Sequence, residues 1–343
     1  MSGKLKNRQG RGLGGRAMNT FILGAGFSKN FNIPLTNELL KNIVVYCSDK
    51  EEYSNFKKKL DYYLNRLIHL NNKKNNNGYF VYGGIDIEDF LSMLDMLIHL
   101  EYKNKKNESK ALKFKNDLLI ILREYFKTLK NNITNIDILK RFLLDIVDEG
   151  NQIITLNWDT LIEDHCDILK YGKSNDYYIG YLKLHGSIDW VCNNEPIDND
   201  CIRYTITYDN QKDAKYKALD MQKINNDELK KISPPCIIYP TTYKKYGFFS
   251  HPFGTIWQQL KQSKKIYIID ISMQKEEHLL RLLLRDSLAA RNNNIEEIII
   301  VNPDANNGLI DRYNQFIGKG KLYKYIKSFL EFIRTHPINE IEE

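Results

Sequence analysis

Six short, nearly continuous apolar runs punctuate this chain: Thr20–Leu23, Gln152–Leu156, Tyr181–Leu184, Cys236–Tyr239, Lys265–Ile269 and Glu297–Val301. Runs rich in Ile, Val, Leu and Tyr that lack polar alternation are the pattern of strands covered on both faces. Such strands pair in parallel, and parallel neighbours need long crossover connections, usually helical. Several of the runs are followed by small or polar residues and then by helix-period patterning. The spacing therefore predicts an α/β fold built on a doubly wound, mostly parallel Rossmann-like sheet.

One connection departs from the usual short spacing. Between the first two runs lie roughly a hundred residues of mainly helical character. Within them, Ile85–Leu100 sets Ile87, Phe90, Leu91, Leu94, Leu97 and Ile98 on one helical face, and Leu112–Leu129 and Ile136–Val147 repeat the pattern. Residues 47–149 read as an inserted helical module containing a polar loop, Asn71–Asn77. A second insertion, 193–233, is polar and rich in Tyr, Asp and Lys, and Pro234–Pro235 closes it. The predicted organisation is a basic arm at 1–17, a nucleotide-binding domain at 18–310 carrying both insertions, and a helical tail at 311–343.

Composition narrows the class. The chain has 343 residues, 42% of them hydrophobic, enough for a sizeable core. No apolar run approaches the roughly 18 residues of a membrane-spanning helix, and residues 1–17 lack the apolar centre of a secretory signal. A cytoplasmic protein with no membrane association is expected. The five cysteines (Cys47, Cys166, Cys192, Cys201 and Cys236) are too scattered for a disulfide framework or paired zinc hooks. Of the net charge of +7, five charges sit on Lys4, Lys6, Arg8, Arg11 and Arg16, where no acid offsets them. That arm reads either as a non-specific phosphate contact or as a mis-started leader ahead of Met18.

Three segments carry candidate chemistry. In Phe21–Pro34 a strand runs into Gly24-Ala25-Gly26, with Ser28 close behind and a helix after it. Glycines at this junction let a backbone approach a pyrophosphate, and they equally serve a plain strand-to-helix turn. The third glycine of the dinucleotide fingerprint is replaced by Lys29. In Thr155–Ile162, Asn157 and Asp159 follow a strand, where they project from the carboxyl end of the sheet or cap the next helix. In Leu182–Trp190, His185 ends a strand beside Gly186, as a general base or as a structural turn residue. Each segment alone leaves both readings open.

Taken in order, GAGFS…IP, T-x-N-x-D-T-L and L-x-L-H-G-S resemble the sirtuin superfamily. The details FILGAGFSK, LNWDTLIE and KLHGSIDW are most similar to its bacterial sirtuin-like branch, often found in anti-phage defence systems. The similarity extends to Ile238–Thr241, His251–Trp257 and Ile298–Asp304, and leaves out the inserted helices. The resemblance implies NAD as substrate. Gly24, Ala25, Gly26 and Ser28 would line the diphosphate and its ribose, Asn157 and Asp159 would face the nicotinamide ribose, and His185 would be the base. It also implies no metal. Deacylating sirtuins carry two cysteine pairs and an acidic-aromatic-arginine turn after Ile-Pro; here Cys192 and Cys201 are too few, and the turn is Ile33-Pro34-Leu35-Thr36. Water would be the acceptor, giving nicotinamide and ADP-ribose.

A second departure falls at Ile268-Ile269-Asp270-Ile271-Ser272, where relatives have Ile-Ile-Gly-Tyr-Ser. Asp270 and Ser272 would then meet the adenosine portion, with Asp270 either bonding ribose hydroxyls or weakening the cofactor's hold. The resemblance thus leads to an NAD hydrolase; the alternatives are a non-catalytic NAD or ADP-ribose sensor, and a nucleic-acid partner resting only on the basic arm. It further implies a homo-oligomer and a defence-system partner such as an ATPase or Argonaute-like protein. The helical module would serve as the association surface or as a cap over the site.

Overall fold

In the structure, a computed structural model, the described residues are 18–48, 50–68, 85–103, 109–143, 147, 151–165, 181–192, 194–206, 216–239, 250–274, 277–290, 294–304, 308–317 and 323–335. The arm at 1–17 and the loop Asn71–Asn77 lie outside them. Strand β1 (Met18–Leu23) runs near the centre of a six-stranded, all-parallel sheet. On one side lie β2 (Gln152–Thr155) and β3 (Tyr181–Lys183). On the other lie β7 (Ser263–Ile269), β8 (Glu297–Val301) and β9 (Tyr323–Ile326). The spatial order β3-β2-β1-β7-β8-β9 is that of a doubly wound fold. The chain builds outward from β1 in one direction and then returns to build in the other.

The continuous apolar runs explain the two-sided covering. Side chains alternate along a strand, so an unbroken run feeds two cores at once. Phe21, Leu23, Ile153, Tyr267, Ile269, Ile299 and Val301 face one layer, while Ile22, Ile154, Ile266, Ile268, Ile298 and Ile300 face the other. The first layer is the connection between β1 and β2: α1 (Ala25–Lys29), α2 (Thr36–Ser48), α3 (Ser54–Ile68), α4 (Ile87–Lys103), α5 (Lys110–Leu129) and α6 (Ile136–Arg141). All six residues expected on one face of α4 are buried. The short α7 (Leu161–His165) follows β2.

After β3 the chain forms a three-stranded antiparallel sheet, ordered β4-β6-β5, from β4 (Trp190–Cys192), β5 (Ile202–Ile206) and β6 (Tyr216–Leu219). Helix α8 (Asn226–Lys231) follows, and its carboxyl end is tied to the helical layer by the fully buried Arg123 of α5. That guanidinium donates to the carbonyls of Leu229, Ile232 and Ser233 at 2.8–2.9 Å. The opposite face of the main sheet is covered by α9 (Ser250–Gln262), α10 (His278–Ala289) and α11 (Ile310–Ile317). Among the described residues, no helix is long and apolar enough to cross a membrane.

Two sequence expectations are corrected. Cys236–Tyr239 is not a sheet strand. Its backbone is used instead to strap the turn after β3: Cys236 N–H donates to Trp190 O, Ile238 N–H to His185 O, and Ser187 N–H to Cys236 O. A single antiparallel bridge, Gly186 to Ile237, is all the sheet character it has. The sixth strand is β9, in the stretch read as a helical tail, and α12 (Phe329–Thr335) follows it. The alternation Tyr323-Lys324-Tyr325-Ile326 is that of an edge strand, not of the buried runs used to find the others. Of the helix expected over Ile136–Val147, α6 covers Ile136–Arg141, Phe142 and Leu143 continue it as a π-turn, and residues 144–146 lie outside those described.

The tail belongs to the core. Phe329 is 1% exposed, and its ring lies 5.0 Å from that of Phe27, 5.4 Å from Phe142 and 5.9 Å from Phe31. Phe27 follows β1, and Phe142 packs edge-on to Phe21 at 5.7 Å, so one aromatic cluster joins the first and last parts of the sheet. Phe329→Ala is expected to cost about 3–5 kcal/mol in urea unfolding. A loss below about 1 kcal/mol would mean that the tail packs on the fold without supporting it.

Candidate functional site

All six strands of the main sheet end on one cavity of about 510 Å³ at the switch point between β1 and β7. Open α/β sheets bind ligands at this place, because loops diverging from adjacent strand ends leave a crevice there. Gly24, Ala25, Gly26 and Ser28 line it after β1, and Asn157 and Asp159 after β2. His185 lines it after β3, and Asp270 and Ser272 after β7. All nine residues singled out in the sequence therefore share one cavity. Asn302 and Asp304, following β8, border it too.

The glycines do something other than expected. A Cβ on Gly24 would stand 2.5 Å from Asp270 O, and one on Gly26 would stand 2.8 Å from Asp270 Cβ. Their missing side chains thus make room for the chain's own β7 turn rather than for an open phosphate cradle. Helix α1 has only five residues, so its dipole is small. Its opening amides, at Ala25 and Gly26, are those left without intrahelical acceptors.

Asn157 is fixed by two acceptors. Its Nδ2 donates to Gly24 O at 2.9 Å and to Ser28 Oγ at 2.8 Å, leaving Oδ1 buried with no hydrogen bond among the described residues. The Ser28 hydroxyl accepts from Asn157 and bonds the Asp159 carboxylate in turn. Asp159 also realises its capping role, since Oδ1 accepts from Leu161 N–H at 3.0 Å. Burial pushes its carboxyl above the usual carboxylate range, and the nearby Lys183 ammonium opposes the shift.

Lys183 ties together the loops that follow β2 and β3. Buried on β3, it donates to Asp159 O and to Ser187 Oγ (2.7 Å), and it pairs with the equally buried Glu163 at 2.8 Å. Asp189 lies in the same charged cluster, its carboxyl pushed up to about 6 by burial. His185, one turn further, is 2% exposed. Gly186 follows at φ +72°, and a Cβ there would meet Cys236 O at 2.3 Å, so the turn requires glycine. His185 Nε2 lies 3.3 Å from Glu277 Oε2, at the start of α10.

At the opposite side, Asp270 adopts φ +53°, a left-handed conformation that Asp tolerates better than most residues. Asn30 Nδ2 bridges Gly26 O (2.9 Å) and Asp270 Oδ2 (3.0 Å). Burial pushes Asp270 up to about 6, with Asp304 adding to the rise. The lining is acid-rich: Asp86, Glu88, Asp159, Asp270, Glu277 and Asp304 all border it. Lys29 is the single lysine or arginine among the described lining residues, and Glu38 holds it at 2.6 Å. Among the described residues, no three His, Cys, Asp or Glu side chains gather as a metal-ligand set.

Glu277, Asn30, Asn302 and Asp304 were not found from sequence. Glu277 sits in Gln274-Lys275-Glu276-Glu277-His278, which reads like any solvated helix start. The signal for Asn302 and Asp304 was present, because they follow the β8 run at a strand end.

No family model matches the chain, and no curated protein does. Solved structures with partial overlap include Sir2Tm bound to a propionylated peptide, at 13% identity and TM-score 0.33, covering 92% of this chain and 90% of that one. Another is Sir2 in complex with the inhibitor EX-527, 2'-O-acetyl-ADP-ribose and a deacetylated p53 peptide, at 13% identity and TM-score 0.34, covering 92% and 91%. Overlap at this level carries neither an activity nor a residue role across to this chain.

Two outcomes test the site's electrostatics. Lys183→Met leaves Glu163 buried and uncompensated and is expected to cost about 3–5 kcal/mol, part of it recovered when Glu163 is also made Leu. Equal losses in the single and double variants, measured by denaturant unfolding, would exclude that coupling. For Asp270, the folded protein binds the proton more tightly than the unfolded chain. Ionisation therefore costs stability as pH rises from about 4 through about 6. Asp270→Asn keeps the left-handed turn and should gain about 1–2 kcal/mol near pH 8, falling towards zero near pH 4. A gain that is independent of pH would show that the carboxylate's charge is not its source.

Proposed function

We propose that this chain is an NAD glycohydrolase that cleaves the nicotinamide–ribose bond with water, releasing nicotinamide and ADP-ribose. The observation carrying this reading is the convergence of His185, Asn157 and Asp159 on one cavity at the sheet's switch point. In the reaction, water oxygen bonds to the ribose C1' as the C1'–nitrogen bond breaks. The bonding pair goes to the pyridinium nitrogen, and neutral nicotinamide leaves. Positive charge grows on the ribose in the transition state, so fixed negative groups around it lower the barrier. The acid-rich lining suits that charge, while its one lysine is already paired.

Each residue then has a role. His185 takes the proton from the attacking water. Asn157, locked through Nδ2, presents its unpaired Oδ1 to the water or to the substrate amide. Asp159, oriented by Ser28 and Leu161, faces the ribose. Ala25 and Gly26 amides meet the diphosphate, and Asp270, Ser272 and Asn302 lie towards the adenosine. The resemblance to the anti-phage branch of the sirtuin superfamily supports a cytoplasmic NAD-depleting effector. Such an effector would act as a homo-oligomer beside a partner such as an ATPase or Argonaute-like protein.

A second reading, a sensor that binds NAD or ADP-ribose without turnover, is favoured by one feature. Asp270 puts a carboxylate where the resemblance has a glycine, and Asp304 adds a second negative group near it. Nicotinamide release measured by chromatography separates the two. The hydrolase reading expects His185→Ala and Asn157→Ala each to lower release by about 100-fold or more, with NAD affinity within about threefold of wild type. Wild-type protein that binds NAD and is stabilised by it, yet releases nothing with infected-cell lysate present, would be the sensor.

A further inference from the structure

Two cysteines far apart in the chain come together beside the strap that holds the His185 turn. Cys192 ends β4 as its one exposed residue, after the buried Trp190 and Val191. Cys236 begins the strap, where its N–H donates to Trp190 O at 2.8 Å and sets its backbone alongside β4. The two thiols are hydrogen-bonded to each other. Tyr216, the cross-strand partner of Cys192 on β6, lies close to both sulfurs. Each cysteine is held by backbone pairing, so their contact is part of the fold.

The pair is chemically unequal. Cys192 is open to solvent, whereas burial pushes the Cys236 thiol up to about 12, against the pull of the nearby Arg123 guanidinium. An exposed thiol meets an oxidant first, and a thiol at its side resolves the product. The other described cysteines are placed differently: Cys47 is buried in the helical layer, and Cys201 contacts the Lys223 carbonyl.

We propose that Cys192 and Cys236 are a reversible dithiol–disulfide site for hydroperoxides, and that closing it fixes the strap behind the His185 turn. In the first step the Cys192 thiolate sulfur bonds to a peroxide oxygen and the O–O bond breaks. The departing oxygen takes a proton and leaves as water or an alcohol, and Cys192 is left as a sulfenic acid. In the second step the Cys236 sulfur bonds to the Cys192 sulfur and the S–O bond breaks. The departing hydroxide takes the Cys236 proton and leaves as water. Two thiols are oxidised and one hydroperoxide is reduced. The disulfide closes residues 193–235, with β5, β6 and α8, into one covalent ring. It also anchors the strap, whose Cys236 O accepts from Ser187 N–H at 3.1 Å and whose Ile238 N–H donates to His185 O at 2.7 Å. None of this chemistry depends on NAD.

In the test, reduced full-length protein is treated with hydrogen peroxide, quenched with N-ethylmaleimide in denaturant, digested and mapped by mass spectrometry. The proposal expects an intramolecular Cys192–Cys236 link, two hydrogens lighter and reopened by dithiothreitol, with Cys47 and Cys201 still alkylated. Cys236→Ser should stall at the Cys192 sulfenic acid, which dimedone traps, and Cys192→Ser should leave Cys236 reduced. Wild-type protein decides the matter even where a variant does not fold. A link between two chains through Cys192 overturns the proposal, as does Cys192 driven on to sulfinic acid while Cys236 stays free. Thiols no more reactive than Cys201 overturn it too. In the linked protein, amide exchange at Ser187 and Ile238 should slow by about tenfold, and equal exchange in the two forms overturns the hold on the His185 turn.

Discussion

Two neighbouring strands end at the same height and turn opposite ways, and their turns must pass one another. At the β1–β7 switch point this crossing brings Asp270 to within van der Waals distance of the backbone at Gly24 and Gly26. No side chain fits on the β1 side, and on the β7 side the backbone enters the left-handed region. Everything in the cavity is positioned from this crossing. It sets the start of α1, hence Ser28, and Ser28 in turn receives Asn157 and bonds Asp159. The glycines are required by the fold before any ligand is considered.

The other half of the site depends on buried charge. Lys183, Glu163, Asp159 and Asp189 are gathered beneath the loops after β2 and β3, where hydration is lost and only mutual pairing offsets the cost. An apolar residue in place of Lys183 would fill the space without specifying where the Asp159 carbonyl and the Ser187 hydroxyl sit. The ammonium does both, because three donors radiate from one atom. The strap at Cys236–Ile238 completes the arrangement by supplying backbone partners to the His185 turn.

What the sequence disclosed follows from which interactions are local. The unbroken runs at β1, β7 and β8 are legible because two-sided burial leaves a mark on every residue. The helical face of α4 is legible because its six buried residues repeat at helical spacing. Cys236–Tyr239 deceived because a half-buried apolar run strapping a turn has the same composition as one in a sheet. Strand β9 escaped because Tyr323–Ile326 is short and interrupted by Lys324, unlike the unbroken apolar runs used to find the others. The strand-end residues Gly24, Asn157, His185 and Asp270 were found because each follows a recognisable run. Glu277 could not be, since it meets His185 only through the tertiary fold.

The insertion of a helical layer between β1 and β2 bears on how the molecule assembles. The residues joined at Asn19 and Asn151 are 132 positions apart, and those joined at Thr20 and Ser263 are 243 apart. The central strand therefore has no early neighbour, and chain-closure entropy opposes both of its pairings. A nascent β1 is an apolar segment with two open edges while the following helices are being made. In the folded protein the apolar faces of those helices cover Phe21 and Leu23. The module thus places the cover of β1 next to it in sequence, while both of its strand partners come later.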